Sequence, residues 1–189
     1  MTANRGYLIP ALWLLWGIYW WIAARGVKAV ARREPVASRL AHALPLAVAA
    51  VLLAVPSFAA PLGAPVIDVD EPILIVAIGL VAAGLLLCVW ARVALGGNWS
   101  GTVTLKHGHS IVRSGPYRRI RHPIYTGLLL MFLGTALARG DWRGVLAFVI
   151  VFAALWRKLR MEERWLGEHF GAAYAEYRAT SWALVPYVL

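Results

Sequence analysis

The chain has 189 residues and a formal net charge of +10, with 15% Asp, Glu, Lys and Arg against 61% hydrophobic residues. A soluble domain of this length carries roughly a quarter charged residues, so the composition excludes an ordinary soluble domain and points to an integral membrane protein of one compact bundle. The positive balance fits loops that face anionic lipid rather than a nucleic-acid surface, and no nucleic-acid partner is expected.

The first apolar run covers residues 7–24, and its positive charge follows it, as Arg25, Lys28, Arg32 and Arg33. A signal peptide carries its charge ahead of the apolar run, so this run reads as a membrane helix whose C-terminal end is cytoplasmic. Trp13, Trp16, Trp20 and Trp21 are expected to anchor it at the interface. A second run spans residues 40–60, with Pro45 and Pro56 as kinks or ends. Residues 61–72 hold Asp68, Asp70 and Glu71 and no Lys or Arg, which marks an exterior loop. The third helix is expected over residues 73–95, where Gly79 and Gly84 permit close helix contact. Cys88, the single cysteine, excludes an internal disulfide and a cysteine-based metal cluster, and is assigned to packing.

Residues 96–121 form a polar connection in which Thr102-Val103-Thr104-Leu105 suits a short extended piece. His107 and His109 flank Gly108, but no third ligand accompanies them, so no metal site is expected. Two shorter apolar runs, residues 124–138 and 145–156, are joined by the tight turn Arg139-Gly140-Asp141 and read as a helical hairpin. The fifth helix continues through Arg157, Lys158, Arg160, Glu162, Glu163 and Arg164 and stops at Gly171. A last polar segment reaches Arg178, and residues 182–187 are apolar enough to return to the interface.

With an exterior N-terminus, 16 of the 19 Lys and Arg residues fall on the cytoplasmic side, and only Arg5, Arg139 and Arg143 fall outside. The expectation is therefore an all-α integral membrane protein with about five transmembrane helices. It lies in the inner (cytoplasmic) membrane, with its N-terminus exterior and its C-terminus and active site cytoplasmic. A single membrane domain covers residues 1–189: three N-terminal helices over 1–95, then a half over 96–189 built from the hairpin and a C-terminal helix.

The segment from Ser114 to Gly127 joins basic residues directly to an apolar run, which puts His122, Tyr117 and Tyr125 at a membrane–water boundary where polar groups are costly unless used. Pro123 suits the first turn of a helix, and that helix start favours an anion. Arg118, Arg119 and Arg121 are each read first as topology signals, whereas His122 with Tyr125 on the next turn reads as functional. Glu162 and Glu163 point about 100° apart on a helix, so at most one is expected to face a site, its neighbour being solvated or paired with Lys158 or Arg160. Taken alone they are an ordinary charged helix face. No phosphate-binding glycine loop follows a strand, and no Ser-His-Asp arrangement can be assembled.

The run Gly108-His109-Ser110-Ile111-Val112-Arg113-Ser114-Gly115-Pro116-Tyr117, then Arg121-His122-Pro123-Ile124-Tyr125-Thr126-Gly127, resembles the isoprenylcysteine carboxyl methyltransferase family. So do the later Glu162-Glu163, Phe170-Gly171 and Tyr174-Ala175-Glu176-Tyr177. That family is related to the membrane phospholipid N-methyltransferases, and the resemblance covers about residues 95–186. It implies a membrane methyltransferase using S-adenosyl-L-methionine, with a cytoplasmic cofactor pocket formed by the C-terminal half: the polar connection, the start of the fourth helix and the C-terminal helix. By position His109, Ser110, Ile111, Val112, Tyr117, His122, Pro123, Ile124, Tyr125 and Glu162 match cofactor-contacting residues. The carboxyl-methylating members place a substrate arginine four residues before the matched glutamate; here that position is Lys158, with Arg157 beside it.

The implied substrate is a lipophilic small molecule or lipid that enters from the bilayer. Carboxyl O-methylation is implied most directly, with phospholipid N-methylation and small-thiol S-methylation open. A carboxylate needs no general base, whereas a thiol or amine must lose a proton, and no catalytic residue is assigned. Membrane sterol reductases share a similar C-terminal cofactor region but use a nicotinamide cofactor and are much longer. A structural or transport protein would need polar residues in mid-membrane, which these runs almost lack. The sequence carries no signal for oligomeric state.

Overall fold

The computed structural model describes residues 7–25, 30–99, 104–106 and 110–188. Among these residues six α-helices carry the fold: α1 (Leu8–Ala23), α2 (Val36–Ala54), α3 (Glu71–Leu95), α4 (Pro123–Arg139), α5 (Trp142–Phe170) and α6 (Ala172–Ala179). Two short strands, β1 (Val30–Arg33) and β2 (Thr104–Lys106), pair antiparallel. The extended piece expected around Thr104 is thus half of a ribbon whose other strand lies in the loop after α1. Its partner at Arg32 and Arg33 was not legible, because those residues read as topology charge.

Local chemistry explains the boundaries. The Asp70 side chain accepts from the Ile73 amide at 2.9 Å, and Pro72 sits in the first turn, so α3 begins two residues earlier than its apolar run. Pro45 lies inside α2 without ending it; the helix stops before Pro56. Between α4 and α5, Gly140 adopts φ 66°. A side chain there would be strained and would meet the Ile67 carbonyl at 2.8 Å. Asp141 then caps α5 through Gly144 N at 3.1 Å and accepts from Arg143 Nε at 2.7 Å. Arg143 Nη1 donates to the Val55 carbonyl at 2.6 Å, and Arg139 donates to the Leu53 carbonyl. Arg139 and Arg143 therefore serve the C-terminal end of α2.

Helix α4 packs against α3, and α2 against α5. The α3–α4 contact depends on small residues. A Cβ on Gly127 would lie 2.6 Å from Cys88 Sγ, and one on Gly134 would lie 2.5 Å from the Ala77 carbonyl. Gly84 faces Gly127 in the same seam, and the buried Cys88 packs there as expected. Gly79 corrects the sequence reading, because nothing lies within 4 Å of a Cβ placed on it. Gly127→Ala should therefore lower stability by about 1–3 kcal/mol through overpacking, while Gly79→Ala should cost nothing. Thermal unfolding of the two variants in detergent measures the difference.

Helices α2 and α3 are long and apolar enough to cross a membrane, and their most apolar windows are only 17% and 22% buried. A core helix of a soluble protein would be mostly buried, so these helices instead turn apolar surface outward. The tryptophans of α1 divide differently from expectation. Trp21 is outermost, with the Arg25 guanidinium 4.0 Å over its ring. Trp13 turns inward, donating from Nε1 to Thr135 Oγ1 at 3.0 Å and meeting Phe132 edge-on at 4.9 Å. Trp16 and Trp20 stack at 5.0 Å and also face inward.

Candidate functional site

Two features set the site. The loop before α4 is pinned by the returning C-terminal segment. Arg121 N donates to the Trp182 carbonyl at 2.8 Å, His122 N to the Ala183 carbonyl at 3.0 Å, and Trp182 N to the Arg119 carbonyl at 2.9 Å. Ala183 and Leu184 are buried in the core, so this segment is a strap, while Val185, Tyr187 and Val188 stay exposed. The second feature is the length of α5. It runs on for four polar turns past its apolar part until Gly171, at φ 52°, ends it. The extension carries Glu162 and Glu163 beside the pinned loop.

There the polar groups converge. Tyr125 Oη donates to Glu162 Oε1 at 2.6 Å. His122 Nδ1 lies 3.5 Å from Glu162 Oε2, and its Nε2 lies 3.4 Å from Glu163 Oε1. The His122 and Tyr125 rings stack 6° from parallel at 5.4 Å. Arg121 Nε donates to Glu163 Oε1 at 2.7 Å, and Arg178 Nε stands 3.7 Å from Glu163 Oε2. Both glutamates therefore belong to the cluster, although they point apart on α5: the His122 ring stands between them, one nitrogen toward each. Neither is merely a charged helix face, and Glu163 pairs with Arg121 rather than with Lys158 or Arg160. The Lys158 ammonium, one turn before Glu162, lies 5.4 Å from the centre of the Tyr125 ring.

Charges in the cluster support each other. Burial opposes the imidazolium of His122, but contacts with Glu162 and Glu163 outweigh it and raise the histidine. Burial likewise opposes the carboxylates. Contacts with His122, then with Lys158 for Glu162 and Arg121 for Glu163, win, leaving Glu162 lowered and Glu163 at about 2. Below roughly 6.5, the unfolded histidine value, the contribution of His122 is fully present; it is lost as pH rises through the raised folded value. The carboxylates contribute fully above roughly 4.3 and lose that share as pH falls toward their lowered values. Stability should thus plateau between those limits and decline on both sides. His122→Asn should flatten the alkaline decline, as followed by thermal unfolding across pH.

A cavity of about 310 Å³ opens beside this cluster, at the small end of the range for ligand pockets. Of the residues singled out in the sequence, Ser110, Ile111, Val112, Tyr117, His122, Ile124, Tyr125, Lys158 and Glu162 line it. Two of the others do not join them. Pro123 is fully buried in the first turn of α4, away from the wall. Arg157 sits on the outer side of α5 and donates to the Ser38 carbonyl and Oγ at 3.4 Å. His109, with His107, lies outside the described residues. Arg121 moves the other way: read as a topology signal, it lines the cavity and is nearly buried in its ion pair. Arg118 and Arg119 are exposed.

The wall is also wider than the C-terminal half. Trp16 and Trp20 of α1 and Leu46 of α2 contribute, as does Trp99 beyond α3. Trp16 and Trp20 stand four apart, a spacing that marks one helix face, but their composition read equally as interfacial anchoring. Tyr174 and Tyr177 of α6 close the site. The Tyr177 hydroxyl donates to the Tyr117 carbonyl at 2.6 Å, whereas the Tyr174 hydroxyl is buried without a hydrogen-bond partner among the described residues.

Residues 72–173 match the phospholipid methyltransferase family. The protein-S-isoprenylcysteine O-methyltransferase of Schizosaccharomyces pombe is 33% identical over 108 residues, 54% of this chain and 44% of that protein. Protein-S-isoprenylcysteine O-methyltransferase A of Arabidopsis thaliana is 32% identical over 90 residues, 46% of this chain and 44% of the relative. The steroid 5-alpha-reductase DET2 of Solanum lycopersicum is 32% identical over 103 residues, 53% of this chain and 38% of the relative. The chain spans less than half the length of these relatives. The family match takes in more than half of the chain and contains Arg121, His122, Tyr125, Glu162 and Glu163, so the chain belongs to the phospholipid methyltransferase family.

Proposed function

We propose that this protein is an integral membrane methyltransferase that uses S-adenosylmethionine to methylate a lipophilic acceptor. A prenylcysteine-type carboxylate is the first acceptor to test, with a phospholipid amine or a small thiol as alternatives. One observation carries the reading: Glu162, engaged by Tyr125 and His122, shares a cavity wall with the unpartnered Tyr174 hydroxyl. The donor set fits the cofactor. A carboxylate can take hydroxyl or ammonium hydrogens, a buried hydroxyl without a partner is available to a polar ligand, and Trp20, Trp99 and Tyr117 offer aromatic faces to an adenine and a sulfonium.

Adenosylmethionine, when bound, supplies a methyl group on a sulfonium that is already a good leaving group. The protein's share is then positioning and exclusion of water. Glu162 orients, and its geometry is fixed by Tyr125 and His122. The strap and the Tyr177 hydroxyl hold the loop against α6, and the tryptophans of α1 close the apolar side. In this reading residues 1–95 add Trp16, Trp20, Leu46 and Leu95 to the apolar wall, and residues 96–189 give the polar wall and the rest of the apolar one, within one membrane domain. Helices α1 to α4 and the apolar part of α5, residues 145–156, are the spans, with the N-terminus exterior and the site cytoplasmic. The meeting of Pro65 with Asp141 supports this, because it joins the acidic loop and the α4–α5 turn at the end of the bundle away from the arginine-rich connection.

The test is calorimetric titration of detergent-purified protein with S-adenosylmethionine, S-adenosylhomocysteine and NADPH. Binding of both adenosyl compounds without NADPH supports the methyltransferase. Binding of NADPH alone would favour reductase chemistry of the DET2 kind.

A further inference from the structure

Helix α1 lies ahead of the family match, yet its Trp16 and Trp20 line the cavity. It packs along α3, and one side chain in the last turn of α3 fastens its C-terminal end there. Arg92 is only 7% exposed and touches three segments. Its Nη2 donates to the Ala23 carbonyl, one of those left open at the end of α1. Its Nη1 donates to the Gly96 carbonyl at 2.8 Å, where the chain leaves α3 at φ 54°. Its guanidinium carbon stands 4.7 Å over the Trp99 ring. A guanidinium buried near a membrane boundary is costly unless it is used, and among the described residues no carboxylate pairs with it. A planar fork serves two carbonyls and a ring face at once, which an ammonium does not.

The contact on Trp99 reaches the cavity. Trp99 meets Trp20 nearly at a right angle, 87° at 5.9 Å, and Trp20 stacks on Trp16 at 5.0 Å. All three tryptophans line the cavity, whereas Arg92 stays off the wall. It therefore stands behind them. We propose that Arg92 is a positioning residue for this wall: by tying the end of α1 and the Trp99 ring to the end of α3, it keeps Trp20 and Trp99 as a preformed corner for the flat, uncharged adenine of an adenosyl ligand. A flat ring in such a corner stacks on one indole and meets the edge of the other, the two arrangements that aromatic pairs favour. Trp99 already has a cation on it, which makes it a poor second partner for a sulfonium; Glu162 carries the opposite charge. Helix α1 thereby shares in cofactor binding although it lies outside the family match. This rests on the methyltransferase reading.

The test is a double-mutant cycle. Arg92→Gln and Arg92→Lys are each made in the wild-type and Trp99→Leu backgrounds, and S-adenosylhomocysteine affinity is measured by calorimetry. A second readout needs no ligand: the ten tryptophans are replaced by 5-fluorotryptophan, and the Trp99 resonance is assigned with Trp99→Phe. Arg92→Gln should shift that resonance and weaken S-adenosylhomocysteine about tenfold, within the range of a desolvated cation–π contact. Arg92→Lys, which keeps the charge but not the fork, should recover part of the affinity. In the Trp99→Leu background Arg92→Gln should cost less than about twofold, because the ring it acts through is gone. A tenfold loss in both backgrounds overturns the proposal, and so does an unmoved Trp99 resonance. Should Arg92→Gln fail to fold, Arg92→Lys carries the same cycle. If wild type binds no adenosyl compound, the methyltransferase reading fails, while the fluorine resonance still decides the Arg92–Trp99 link.

Discussion

Glu162→Ala should weaken S-adenosylhomocysteine binding at least about a hundredfold, ~2.7 kcal/mol, with the bundle intact. Glu162 is the acceptor for the Tyr125 hydroxyl and one of two carboxylates around His122. Its loss removes the group offered to the ligand and also leaves the Tyr125 hydroxyl and His122 Nδ1 without a partner at the cavity wall. A buried polar group so abandoned costs about 1–3 kcal/mol. Glu162→Gln keeps the shape and the Tyr125 contact but not the charge, so it should lose roughly tenfold. His122→Ala should resemble Glu162→Ala, because the ring both supports Glu162 and stacks on Tyr125. Calorimetry on the three variants gives the comparison. Unchanged affinity in both alanine variants would remove these residues from the site.

How far the sequence reached depends on the kind of signal. Apolar runs marked all five long helices, since burial and lipid exposure both select apolar residues. Their ends shifted where capping overrode hydropathy, as at Asp70 and Pro72 of α3. The stretch from His122 to Tyr125 was legible because a histidine and a proline at a helix start are costly choices there. Glu163 and Arg121 were not, because each alone is an unremarkable charge. Only the strap, which comes from 60 residues further along the chain, brings the loop to α5 and turns two surface charges into a nearly buried pair. Trp16 and Trp20 failed for the opposite reason: tryptophan near a membrane boundary is so common that inward and outward placement look alike.

Arg121→Ala should be the most destabilising single change at the site. The guanidinium ties three segments together. Its Nε donates to Glu163, and its Nη1 donates to the Ser181 carbonyl and reaches the Arg178 carbonyl at 3.4 Å. The Arg121 and Glu163 side chains are only 9% and 11% exposed. Removing one member of such a pair leaves a buried charge, which costs roughly 3–5 kcal/mol. His122 and Arg178 remain near Glu163, so the lower end of that range is expected. Arg121→Lys restores the charge but not the fork that reaches both Glu163 and the strap, and should recover about half. Hydrogen exchange of residues 181–184 should rise in both variants, because the strap loses its side-chain anchor while keeping its backbone bonds to residues 119–122. Arg118→Ala is the control, since that side chain is exposed. A pure topology signal would make Arg121→Lys silent and Arg121→Ala equal to Arg118→Ala in unfolding temperature; the cross-link predicts a clear gap between those two alanine variants.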